Sequence, residues 1–139
     1  MKLCEEMGTD IWIHIEHRSR KTNKYVYDFE ADGNRDYTLF GALAGARGPL
    51  DPIYEPRGIP EDSSPEVIKD YLSWEEAHTF SWLTTKELRE CLDLTIKNYS
   101  NMELAKSNLE SYERIYEYMK RQEDEGKPCR IVFWFDDYV

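Results

Sequence analysis

The chain has 139 residues, with 28 Asp and Glu against 18 Lys and Arg, for a formal charge of −10. That length suits one domain with an ordinary core, expected over 1–139 with residues 1–8 as a loose N-terminal extension. A hydrophobic content of 40% excludes a disordered chain. The acidic balance, with no basic run, excludes groove binding to nucleic acid and an anionic membrane surface.

Ile11, Ile13 and Ile15 alternate with Asp10, Trp12, His14 and Glu16. Strict period two with β-branched residues predicts a strand. Ser19 to Lys24 is polar and carries Asn23, a turn signal, so Tyr25 to Phe29 is expected to hairpin back onto it. Asp36 can cap a helix over 36–47, where Tyr37, Phe40, Leu43, Ala44 and Arg47 recur at helical spacing. Gly41 and Gly45 weaken that helix by about 1 kcal/mol each relative to alanine. They are read as a small-residue packing face, or as places where a backbone or ligand comes close.

Five of the six prolines fall between residues 49 and 65. A stretch of about sixteen residues without regular structure is long for a compact domain. Ile53, Tyr54 and Ile59 give it apolar anchors, so an ordered loop over the body is expected. Ser64-Pro65 starts a helix running to about Trp74. Residues 75–82 read as a connection. Thr84-Thr85-Lys86-Glu87 is a capping box opening a helix to about Asp93. Ser100 to Glu103 opens another, with Leu104, Leu109, Tyr112, Ile115, Tyr116 and Met119 on one stripe. It ends near Gly126 and Pro128. Arg130 to Asp136 is apolar enough for a central strand.

The expected fold is α+β: a small antiparallel sheet, formed by the N-terminal hairpin and the C-terminal strand, with three to four helices on one face. The tyrosine-rich stripe is wide, so a homodimer or higher homo-oligomer through the long helix is the alternative use of that face.

Cys4, Cys91 and Cys129 have no CxxC spacing and read as free thiols of a reducing compartment. The uninterrupted apolar runs stay short of the roughly 18 residues a membrane helix needs. Met1 to Glu6 lacks the apolar stretch of a secretory leader. No nucleophile elbow, P-loop, dinucleotide fingerprint or HExxH occurs. Asp10, His14 and Glu16 are metal-ligand types on one strand face, read as a solvent-facing polar side, so neither a metal nor a cofactor is expected.

Arg57 stands between Pro56 and Gly58. A stiffened backbone preorganises it to grip a phosphate or carboxylate, or to pin the loop on an acid such as Glu55 or Asp62. Arg35 and Arg47 flank the first helix. If the loop folds back, Arg35, Arg47 and Arg57 converge on one anionic ligand. His78 and Ser81 then complete the site, and Tyr37 and Trp82 offer stacking faces.

Several motifs resemble a family of short, uncharacterised bacteriophage and prophage proteins. They are Met7-Gly8-Thr9-Asp10-Ile11, Arg35-Asp36-Tyr37, Leu43-Ala44-Gly45-Ala46-Arg47, Pro56-Arg57-Gly58-Ile59-Pro60-Glu61-Asp62 and Ser81-Trp82-Leu83-Thr84, with His78 and the Arg130 to Asp136 strand. Thr9 stands where that family has Cys, and Trp12 where it has His. The resemblance implies a counter-defence protein of the host cytoplasm. It would bind and sequester a nucleotide-type immune signal, a cyclic dinucleotide or an ADP-ribose derivative. The alternatives are an enzyme that degrades such a nucleotide, and an acidic decoy for a host nucleic-acid-binding protein.

Overall fold

The computed structural model describes residues 8–138, so Cys4 and most of the expected N-terminal extension lie outside the described residues. The chain is α+β. Strands β1 (Gly8–Arg18), β2 (Tyr25–Ala31), β3 (His78–Thr84) and β4 (Cys129–Tyr138) form one antiparallel sheet in the order β2-β1-β4-β3. The helices are α1 (Tyr37–Ala44), α2 (Pro65–Ser73), α3 (Thr85–Lys97) and α4 (Met102–Asp124). None of them is long and apolar enough to cross a membrane.

The β1 alternation sorts side chains onto two faces. Ile11, Ile13 and Ile15 join Ile131, Phe133 and Phe135 of β4 in the main core, under α1, α3 and α4. Trp12 packs on the other face with Val132 and Trp134. Helices were expected on one face only; α2 instead covers the second, through Val67 and Tyr71. Covering both faces is why β4 reads as a continuous apolar run at the centre of the sheet.

Residues 75–82, expected to be a connection, contain most of β3. Phe80 and Trp82 point to the second face and Leu83 to the main core, so both faces are covered and the alternation is confined to Thr79 to Trp82, too short to mark a strand. A register shift between His78 and Ser81, with Thr79 at φ 59°, interrupts it further.

Local capping follows the sequence closely. Ser64 caps α2 with Pro65 at its first position, and Asp36 caps α1. Helix α1 ends at Ala44 with Gly45 as its cap, short of Arg47. The cap of α4 is Asn101, accepting from Leu104 N. Leu104 itself is half exposed, and Ala105 takes the buried place expected of it. Tyr112, Tyr116 and Tyr118 all pack against the main core of their own chain, which removes the tyrosine stripe as an argument for a dimer.

Thr84 and Glu87 close a reciprocal capping box at the start of α3, which runs to Lys97 rather than Asp93. Thr84→Ala is expected to cost about 1 kcal/mol. The readout is a lower urea midpoint at unchanged slope; an unmoved midpoint would show that the box adds nothing.

The proline-rich segment carries the chain from α1 on one face to α2 on the other, around the outer edge of β3. Its start lies against α1: a Cβ at Gly41 would stand 2.4 Å from the Leu50 carbonyl oxygen, so glycine here admits a neighbouring backbone. Further on, Gly58 N–H donates to Phe80 O at 2.8 Å. The loop thereby occupies hydrogen-bonding groups that an edge strand would otherwise offer to another chain.

Candidate functional site

Arg57 is the hub of the loop. Its backbone N–H donates to Ser81 Oγ at 3.1 Å. Its Nη1 donates to Trp82 O at 3.1 Å and to Glu87 Oε1 at 2.8 Å, and its Nη2 to Glu87 Oε2 at 2.7 Å. The guanidinium also lies 4.5 Å from the Trp82 ring centre and 4.9 Å from that of Tyr54. The acid that pins it is Glu87, thirty residues away, not Glu55 or Asp62. The Arg57 guanidinium holds the Glu87 carboxyl below the usual carboxylate range. Gly58, at φ 76°, supplies the backbone turn that follows.

A second arginine, on β4, anchors the far end of the loop. Arg130 donates from Nε to Glu16 Oε1 at 2.7 Å and from Nη1 to Asp62 Oδ1 at 2.9 Å. Its guanidinium carbon lies 3.5 Å from the Tyr25 ring centre. Glu16 is fully buried, and its other oxygen accepts the Ser64 N–H at 2.7 Å. A carboxylate read as solvent-facing is therefore the buried tie between β1, β4 and the start of α2. His14, also expected to face solvent, is only 3% exposed.

Between the loop and the sheet lies a cleft of about 730 Å³. Every strand contributes one side chain to it: Arg18 from β1, Tyr25 from β2, Trp82 from β3 and Arg130 from β4. Arg57 and residues 59–62 complete the wall. Arg18 is exposed, and no ion pair engages it among the described residues.

The expected convergence of Arg35, Arg47 and Arg57 does not occur. Arg57, Ser81 and Trp82 come together beside the cleft; Ser81 is buried, and its hydroxyl accepts the Arg57 N–H. Arg35, Tyr37, Arg47 and His78 gather instead where β1 begins and β4 ends. Thr9 and Arg18 mark the two ends of β1, roughly 30 Å apart at the usual rise of a strand.

At that opposite end Arg47 Nη1 donates to Thr9 Oγ1 at 2.9 Å, and Thr9 Oγ1 donates to Asp137 Oδ1 at 2.6 Å. His78 Nε2 stands 3.0 Å from Asp137 Oδ2. The Tyr37 hydroxyl accepts the Thr9 N–H at 3.2 Å, under the Arg47 guanidinium. Arg35 Nε pairs with Asp10 at 2.6 Å. Partial burial pushes the Asp137 carboxyl up, but the Thr9 hydroxyl and the His78 ring outweigh it, and the net shift is down. Burial pushes the free Cys91 and Cys129 thiols up to about 12, so neither is a ready nucleophile.

No family model, curated protein or solved structure matches the chain.

Arg18 and Arg130 were missed as site residues. Arg18 sits in a polar strand end and Arg130 beside an apolar run, and neither has a local signal. Only the register, which sets Arg18 opposite Tyr25 and Arg130 opposite Glu16, brings them to one face.

Proposed function

We propose that the chain binds a nucleotide-type small molecule in the cleft under the 57–62 loop and holds it without turning it over. The observation that carries this reading is a ligand-sized hollow in which Arg18, with no ion-pair partner among the described residues, shares a wall with the aromatic rings of Tyr25 and Trp82. Arg57 and Arg130 already have carboxylate partners, so Arg18 is the cation of the cleft best placed to meet a ligand phosphate. Arg18 takes that phosphate, and Trp82 or Tyr25 flanks the base. The exposed carboxylates of Glu61 and Asp62 can accept from sugar hydroxyls. Sequestration of an immune signal, a cyclic dinucleotide or ADP-ribose derivative, fits the resemblance of its motifs to short phage proteins.

Calorimetry of the full chain against a panel of such nucleotides tests the reading. One member should bind and be recovered intact by chromatography. Arg18→Ala should cost about 2 kcal/mol of binding, the loss of a charge-assisted contact. Trp82→Ala should cost about 1–3 kcal/mol, the usual worth of a stacked base. No heat and no melting shift with any of them would reject it.

Degradation of such a nucleotide is the second reading. The His78–Asp137 contact, with Thr9 and Arg47 beside it, favours it as an acid–base pair at the other end of the sheet. Product formation abolished by His78→Gln, but not by Trp82→Ala, would select it.

A further inference from the structure

Besides the cleft, the second sheet face carries a cluster that the binding proposal does not use. His14 of β1 and Glu30 of β2 are direct cross-strand partners. Asp70 of α2 packs over them. One ligand atom from each of the three lies within 4.8 Å of the other two. His14 Nε2 and Asp70 Oδ2 are 2.8 Å apart. Two ligands bound side by side to one four-coordinate cation at about 2.1 Å stand roughly 3.4 Å apart, so this pair has to open by only about half an ångström.

The surroundings hold these groups in place. The His14 ring is buried between those of Tyr27 and Trp134, and its Nδ1 is 3.1 Å from the Tyr27 hydroxyl. A partner on Nδ1 is the usual way of orienting a ligating imidazole so that Nε2 faces the ion. Asp70 Oδ1 accepts from the Trp74 indole and the Ser73 hydroxyl, both at 3.3 Å, which leaves Oδ2 turned towards His14. Among the described residues, Lys69 is the one cation lining the hollow that Asp70 shares with Glu66 and Ser73.

We propose that His14, Glu30 and Asp70 form a binding site for one divalent transition-metal ion of the zinc type, held between the N-terminal hairpin and α2. The imidazole of His14 is a borderline nitrogen donor that suits zinc and that magnesium takes poorly, and the two carboxylates are hard donors that zinc also accepts. Three protein ligands leave a coordination position for water on the exposed Glu30 side. The ion ties α2 to the sheet from a place apart from the cleft, so the site stands or falls independently of nucleotide binding.

The test uses the full chain after chelation and desalting. Zinc chloride titrated by calorimetry, with retained metal counted by mass spectrometry, should give one zinc per chain. Saturating zinc should raise the melting temperature by several degrees, and magnesium should not. Glu30→Gln, at an exposed position, should melt like the parent without metal and bind zinc at least tenfold more weakly. Asp70→Asn should weaken it likewise. No retained zinc would overturn the proposal. So would zinc binding unchanged in both variants, since the ion would then lie elsewhere, as at the β1–β2 pair of His17 with Asp28, 2.5 Å apart, or at His78–Asp137.

Discussion

Glu16→Ala is expected to lower stability by about 3–5 kcal/mol, the cost of stranding one charge of a buried pair. Glu16 is 0% exposed and takes Arg130 on one oxygen and the Ser64 N–H on the other. Removing it leaves Arg130 with only the rim carboxylate of Asp62 and strips the α2 cap of its acceptor. A domain of this size holds about 5–15 kcal/mol in all, so the loss approaches the threshold for folding. The melting temperature should fall by roughly 10–20 °C. Replacing both partners, Glu16→Leu with Arg130→Met, should recover more than half of the loss, because the desolvation cost goes with the charges. Urea unfolding of the three proteins measures this. A single-variant loss below about 1 kcal/mol would mean that the pair is solvated and does not anchor the loop.

Trp134→Ala is the second large effect, at about 3–5 kcal/mol for an aromatic truncation in a packed core. Trp134 is fully buried on the second face, with the rings of His14, Phe80 and Tyr71 within 5.1, 5.6 and 6.3 Å of its own. It seats α2, β3 and the ring of His14, so its truncation should also blunt zinc uptake. Trp134→Phe is the control. The indole N–H has no hydrogen-bond partner among the described residues, so phenylalanine loses volume but relieves an unsatisfied donor. It should cost well under half as much. Equal losses for the two variants would show that the donor, not the volume, matters.

The site was only partly legible. Arg57 stood out because proline and glycine flank it, and Trp82 because aromatics near such a loop are stacking candidates. Their neighbours were hidden. Glu87 looked like a capping-box residue and is one, yet the same carboxylate also clamps Arg57. Glu16 and His14 looked like the wet side of a hairpin, because alternation reports that two faces differ and not that one of them is open. The second layer, α2 with the loop, turns that polar stripe into a buried ion pair and a cluster of metal-ligand types.

What the amino-acid order settled by itself is local: the β1 alternation, the β1–β2 hairpin with Asn23 at φ 60°, the Ser64-Pro65 start and the Thr84 capping box. These features satisfy backbone hydrogen bonds or bury one stripe within a few residues, so nearby side chains suffice to encode them. Tertiary structure alone decided that β3 is a strand, that the loop rounds the sheet edge, and that Arg18, Arg130 and Trp82 share a cleft while Arg35 and Arg47 lie at the other end. Those outcomes depend on register and on which face each layer covers, and the order of residues within one strand states neither.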